Sequence, residues 1–317
     1  MATTVDAAFR EWKSHLEITD RQESLVAQRR ADIERILRGR LTLDATQNPL
    51  VIGSWRRNTL IAPLSQADVD LLVVLDLQAH KNWDNREGTI KALDSIRDIL
   101  HDAYRNTELR RDRNCVTLHF HEFRLDVVPA FRSRSAFGPS RHSSNKSFRI
   151  PDSIRKIWVP TNPNAFAQAI SETNTRMAGT FVPLIKMVKG WNRAPGSPLR
   201  SFHLEVLLHS HYNGFFGWFR RETVKQEGYR YPLMLRSFFG NLAGYLDTGS
   251  YDPMLHDRLD EYLDNDARVA KRHVAQEKAK AAHEAAKSAC LAEHQHDVAQ
   301  AITEWRGLMG KVFPAYG

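Results

Sequence analysis

The sequence predicts an α+β protein: a mixed sheet with helices over residues 1–160, then an α-helical lobe over 161–317. Three observations predict it. Short apolar runs of strand length, such as Leu71-Leu72-Val73-Val74-Leu75 and Leu125-Asp126-Val127-Val128, fall in the first half. A loop-rich stretch over 132–163, with Ser, Arg, Asn and the prolines Pro139, Pro151 and Pro160, follows them. From residue 164 onward the apolar residues recur at helical spacing.

Residues 20–38 form an amphipathic helix, with Leu25, Val26, Ile33, Ile36 and Leu37 near helical spacing. Thr19 or Asp20 caps it, and Gln22, three residues beyond Thr19, completes a capping box. Pro49 to Ile52 is a short apolar stretch that Gly53-Ser54 breaks. Residues 69–75 are a strand, and 87–104 are a helix with Ile90, Leu93, Ile96, Ile99 and Leu100 on one side. Two further strands, 115–120 and 123–130, meet near His121-Glu122. Helices are expected over 164–177, 180–193, 200–212, 230–247, 254–263 and 265–306, with 265–290 a long exposed helix rich in Ala, Lys, Glu and His. A cleft between two such lobes is a natural ligand site.

Composition narrows the class. The chain has 317 residues, a formal net charge of +8 and two cysteines, Cys115 and Cys290. Two cysteines make neither a disulfide framework nor a zinc site, which fits a reducing cytoplasm. No apolar stretch reaches the ~20 residues that a membrane span needs, and no secretory signal opens the chain, so a cytoplasmic protein without a membrane partner is expected. The positive charge suits a polyanionic ligand such as a nucleoside triphosphate. With no long basic tail and no RNA-binding module, no stable nucleic-acid partner is expected.

The chemistry is concentrated in a few residues. Asp68 and Asp70 lie one residue apart before an apolar run, so on a strand they project from one face. Asp126 sits inside an apolar strand, where a carboxylate is costly without a partner. Three convergent carboxylates suit Mg²⁺, a hard cation that shares its shell with phosphates. Gly53 and Ser54 open a turn whose backbone N–H groups and hydroxyl suit a phosphate chain. Arg56 and Arg57 follow that turn, where they meet phosphates or lie exposed on a helix.

Gly-Ser, Trp55, Asp-x-Asp on a strand and Asp on a later strand, in this order, resemble the nucleotidyltransferases of the polymerase-β superfamily. More narrowly, the chain resembles the bacterial cGAS/DncV-like nucleotidyltransferases (CD-NTases). The resemblance extends to Lys189 ahead of Trp191-Asn192, to Arg200-Ser201-Phe202-x-x-Glu205, and to Trp305-Arg306 followed by Val312-Phe313-Pro314. Met309-Gly310 stands where the family usually has Phe-Gly. It implies a polymerase-β-like core with the active site in the cleft to the helical lobe. It also implies two Mg²⁺ ions, with Mn²⁺ able to substitute, on Asp68, Asp70 and Asp126. Ser54, with Gly53 beside it, would bind the β- and γ-phosphates, and Lys189 and Ser201 would reach the donor triphosphate. Ser201 would be a plain N-cap on the alternative reading, or both cap and ligand. The implied activity is template-independent synthesis of a cyclic di- or trinucleotide second messenger, sensed by a downstream effector in anti-phage signalling (CBASS). In some such operons an E1/E2-like partner conjugates the C-terminal residue, here Gly317. The rival readings are an enzyme that extends a linear oligonucleotide or RNA end, and a catalytically silent nucleotide- or RNA-sensing module.

Overall fold

Strands β2 (Asp68–Val74) and β5 (Arg124–Arg132) form the centre of the sheet, and both carry the aspartates. The computed structural model describes residues 1–46, 49–133, 148–193, 197–253, 258–264 and 270–317. The remaining strands are β1 (Leu50–Ile52), β3 (Glu108–Arg111), β4 (Val116–His119), β6 (Phe148–Asp152) and β7 (Ile157–Thr161). Their order is β1-β2-β5-β4-β3, and β5 also pairs with β6, which pairs with β7. β2 and β5 run parallel while the other pairs are antiparallel, so the sheet is mixed as expected.

The helices in chain order are α1 (Val5–His15), α2 (Asp20–Arg38), α3 (Gly53–Arg56), α4 (Arg86–Ala103), α5 (Pro163–Arg176), α6 (Phe181–Asn192), α7 (Ser201–Asn213), α8 (Gly217–Gln226), α9 (Tyr231–Asp247), α10 (Lys271–His294) and α11 (Val298–Met309). The predicted capping box holds α2: the Thr19 hydroxyl accepts from the Gln22 N–H, and the Gln22 side chain accepts from the Thr19 N–H at 3.0 Å. The apolar sides of α2 (Val26, Ile33, Leu37) and α4 (Ala92, Leu93, Ile96, Leu100) bury Val69, Leu71, Val73, Leu125 and Val127 on one sheet face. On the other face Leu72, Val74, Val128 and Ala130 pack with Phe148 in a smaller core.

By packing, the chain divides into one unit of residues 18–168 and another of residues 1–17 with 169–317. This grouping differs from the expected 1–160 and 161–317 at both ends. Residues 1–17 pack with the C-terminal helices through aromatic contacts. The Phe9 ring lies 5.1 Å from both Trp305 and Phe313, and Trp12 lies 5.4 Å from Phe313, centroid to centroid. Gly190 of α6 lets α1 approach: a Cβ there would stand 3.1 Å from Leu16 and Trp12.

Some expectations about individual elements need correction. The stretch 132–163 is not all loop. Its described part contains β6 and β7, in which Pro151 faces Trp158 and Pro160 faces Arg149. Proline cannot donate to a ladder, so it reads as a loop signal, yet it is tolerated on the edge strand β7 and where β6 runs past its pairing with β5. Pro139 lies outside the described residues. In place of a helix over 254–263 the described residues hold only a short 3₁₀ turn, Glu261–Leu263; residues 254–257 lie outside the description. The helix expected over 265–306 is α10 and α11, interrupted at 295–297, and residues 265–269 lie outside the description. Nor is α10 exposed all round: Ala275, Ala279, Ala282, Ala286 and Ala289 form a buried stripe along it. Among the described residues no helix is long and apolar enough to cross a membrane.

Candidate active site

The sheet register brings the carboxylates together. Asp68 and Asp70 alternate with the buried Val69 and Leu71, so they stand on the face opposite α2 and α4. In the parallel ladder Asp70 lies beside Asp126, and Asp68 beside Arg124. On the far side of Asp126, β4 contributes Thr117. Further along β2 and β5 the same face becomes the apolar cluster of Leu72, Val74, Val128 and Ala130. Polarity therefore switches along the strands, with the acidic end at their N-terminal side.

The Gly-Ser turn is held against this end. Ile52 of β1 pairs with Asp70, so the next residue, Gly53, enters the turn beside that carboxylate. Gly53 has φ +64°, and a Cβ there would stand 1.9 Å from Asp70 Oδ2. Only glycine meets both demands. The Ser54 carbonyl accepts from the N–H of the buried Thr59 at 2.8 Å, which fixes the end of the turn. Arg56 is exposed and lines a cavity of about 450 Å³ with Arg30, Trp55 and Asn164.

Electrostatics at the acidic end are unbalanced. Burial pushes the Asp126 carboxyl above the usual range; a hydrogen bond from Thr117 opposes this, and the negative charges of Asp68 and Asp112 add to the rise. Burial, reinforced by the Asp126 charge, pushes the Cys115 thiol up to about 12, so it stays protonated as an inert core group. Asp68 is met by the Arg124 guanidinium at 2.6 Å. Among the described residues no group of three or more His, Cys, Asp or Glu could hold a metal ion as the side chains stand. The donor set nonetheless suits a hard divalent cation: its oxygens are carboxylate oxygens, burial with the added charge of Asp68 raises Asp126, and Asp68 already draws a cation, the guanidinium of Arg124.

Lys189 and Ser201 belong to the helical unit. Lys189 is buried on α6 and forms an ion pair with Glu205 of α7, Nζ to Oε1 3.1 Å. Ser201 is the exposed first residue of α7, and the N-cap is Arg200, whose N–H donates to the Tyr262 hydroxyl at 3.0 Å. The expectation that Ser201 caps this helix is therefore corrected; the helix begins one residue earlier than a serine cap requires. Sequence reasoning missed Thr117, Arg124 and Asp112. The first two were within reach, because a tight turn at His121-Glu122 sets Thr117 opposite Asp126 and His119 opposite Arg124.

Residues 3–174 match the family model of the Second Messenger Oligonucleotide or Dinucleotide Synthetase domain. A probable cyclic nucleotide synthase of Bacillus cereus (strain VD146) is 25% identical over 292 residues, covering 83% of this chain and 81% of the relative. A cyclic AMP-AMP-AMP synthase of an Acinetobacter species is 30% identical over 165 residues, 51% of this chain and 45% of that protein. The Vibrio cholerae cyclic AMP-GMP synthase DncV, solved with a linear intermediate, has the same fold. Its TM-score is 0.69 at 14% identity, over 96% of this chain and 97% of that chain. The family match, on this fold, defines a nucleotidyltransferase of the polymerase-β superfamily. Within it, the chain belongs to the second messenger oligonucleotide or dinucleotide synthetases, the bacterial cGAS/DncV-like nucleotidyltransferases. Enzymes of this kind join nucleotides into cyclic second messengers, and that is the class of activity of this chain.

Proposed function

We propose that the chain converts nucleoside triphosphates, ATP among them, into a cyclic di- or trinucleotide that activates a downstream effector in anti-phage defence (CBASS). The observation that carries the reading is the in-register pair Asp70–Asp126, with Asp68 on the same face and Gly53 against Asp70. That ATP is a substrate is supported by the relative called a cyclic AMP-AMP-AMP synthase. A linear product, or a silent sensing module, fits less well with relatives named cyclic nucleotide synthases and with Asp126, a carboxylate whose burial a sensor has no reason to bear.

Asp68, Asp70 and Asp126 would hold two Mg²⁺ ions, for which Mn²⁺ substitutes. When bound, the ions supply charge neutralisation on the triphosphate and polarisation of the attacking hydroxyl. The residues do the positioning. The turn at Gly53-Ser54 places backbone N–H groups and a hydroxyl for the β- and γ-phosphates, close to Asp70. Arg56 adds a cation next to that turn. Lys189 and the exposed hydroxyl of Ser201 are assigned to the donor triphosphate, and Glu205 orients Lys189. A ribose hydroxyl of one nucleotide attacks the α-phosphorus of another and gives up its proton, while the bond to the bridging oxygen breaks and pyrophosphate leaves; two such steps close a dinucleotide ring and three a trinucleotide ring. Catalysis of this kind is positioning and charge stabilisation. We place the reaction in the cytoplasm, where nucleoside triphosphates are made, and include an E1/E2-like partner acting on Gly317. Intact-mass measurement on protein from cells carrying the whole operon tests that partner.

The main test incubates the purified protein with the four ribonucleoside triphosphates and Mg²⁺. The mixture is phosphatase-treated and read by liquid chromatography and mass spectrometry, beside Asp68→Ala/Asp70→Ala. A phosphatase-resistant cyclic product that is absent from the variant is expected. Linear oligomers alone would sink the cyclase reading.

A further inference from the structure

Thr117 stands behind Asp126 in a way that the reaction scheme does not use. Its hydroxyl donates to Asp126 Oδ1 at 2.6 Å, a short contact for a hydroxyl on a carboxylate. The side chain is only 6% exposed. The antiparallel register sets it directly opposite Asp126, so the contact is built by two strands rather than by a mobile loop.

A second carboxylate completes the arrangement. Asp112 Oδ2 lies 3.2 Å from the same hydroxyl. One hydroxyl has one proton, and the shorter contact assigns it to Asp126. The other oxygen of Asp112, Oδ1, is met by Arg110 Nε at 3.0 Å, which draws the Asp112 charge away from the hydroxyl. Asp112 is itself fixed, because its N–H donates to the Cys115 carbonyl at 2.9 Å across the turn that leads into β4. Arg110, Asp112, Thr117 and Asp126 thus form one line of polar contacts across the sheet. At its end, among the described residues, the second oxygen of Asp126 has no hydrogen-bond partner.

We propose that Thr117 is a positioning residue for the metal-holding carboxylate of Asp126: it pins Oδ1, sets the plane of the carboxylate, and leaves Oδ2 to the cation. The proposal rests on the reading of Asp126 as a metal-holding group. A carboxylate free to rotate loses affinity for a cation, and removal of such an outer contact typically costs about 10–100-fold in affinity or activity.

The test compares Thr117→Val, which keeps the shape and strand preference but removes the hydroxyl, with Thr117→Ser, which keeps the hydroxyl and removes the methyl group. Mn²⁺ binding to the nucleotide-free protein is measured by electron paramagnetic resonance, and the half-saturating Mg²⁺ concentration is measured in turnover. Asp126→Asn is run beside them. Thr117→Val is expected to weaken Mn²⁺ binding and raise half-saturating Mg²⁺ by about tenfold, with an unchanged melting temperature and an unchanged KM for ATP at saturating metal. Thr117→Ser is expected to stay within about twofold of the parent. If Asp126→Asn loses Mn²⁺ while Thr117→Val binds it as the parent does, the positioning role is overturned and the metal reading stands. A Thr117→Ser variant as weak as Thr117→Val also overturns it, because the methyl packing would then be what matters. If Asp126→Asn binds Mn²⁺ normally, the metal reading falls and the proposal falls with it.

Discussion

Gly53 and Asp70 share a space too small for a methyl group. A residue with a Cβ at φ +64° is strained by roughly 1–2 kcal/mol, and here the Cβ would also displace the Asp70 carboxylate, which we propose holds a metal ion. Gly53→Ala is therefore expected to reduce cyclic product formation by at least about 100-fold, on the scale of losing one well-placed electrostatic contact, while lowering the melting temperature only slightly. Product assays and calorimetry on the same preparation check both halves. Arg124 offers the opposite sign. Its guanidinium occupies Asp68, and both side chains are about half exposed, so the pair is worth about 0–1 kcal/mol. A cation binding at Asp68 must displace it. Arg124→Gln should lower the half-saturating Mg²⁺ concentration by up to about fivefold, the equivalent of that energy. A rise instead would mean that Arg124 helps to hold the triphosphate.

Elements differ in how much of themselves they display in sequence. α2 was legible to its last residue because its cap, its capping box and its apolar stripe are all local signals. Strands β2, β4 and β5 were legible because apolar runs and a tight turn are local too. β6 and β7 were not, because their prolines are tolerated only through where the strands lie in the sheet. α10 was legible as a helix but not as a buried one; an alanine stripe becomes core only when another helix closes on it. The aspartates and the Gly-Ser turn were visible as residue types, while their meeting depends on the parallel register of β2 with β5. The ion pair between α6 and α7 shows the same limit. Lys189 was legible as a candidate, but its burial against Glu205 was not. Removing one partner from a buried pair typically costs about 3–5 kcal/mol, whereas replacing both by apolar groups can be neutral. Lys189→Met should be strongly destabilising and Lys189→Met/Glu205→Leu much less so. If Lys189 also binds the triphosphate, the double variant will regain its melting temperature and keep a raised KM for ATP. A double variant with normal KM would reduce Lys189 to a structural role.

At the scale of the whole chain, the two units answer acid differently. His203 and His211 are buried in the helical unit, and His209 lies against the Phe181 ring. Burial lowers His203 and His209 to about 4 and His211 to about 3; Arg220 adds to the drop at His211 and Arg176 at His209, while Asp260 opposes it at His203. The His211 ring is served at both nitrogens by hydroxyls, Tyr245 at 2.8 Å and Ser237 at 3.1 Å, groups that suit a neutral imidazole. The folded values lie below the unfolded one of about 6.5. The stabilisation is thus fully present above that pH and is lost as pH falls below it, because the unfolded chain takes up protons that the native chain refuses. Each histidine contributes up to about 1.4 kcal/mol per pH unit in that window. In the α/β unit Asp126 has the opposite sign: its raised folded value makes protonation favour the native state as pH falls. Calorimetry between pH 7.5 and 5.5 should therefore show the helical unit's transition falling by on the order of 10 °C, and the α/β unit's falling less, because burial also lowers His80 there. His211→Gln, which keeps a polar side chain but cannot titrate, should remove about a third of that fall if the three histidines contribute alike. A melting temperature independent of pH over this range would mean that these histidines take up protons in the folded protein as readily as in the unfolded chain.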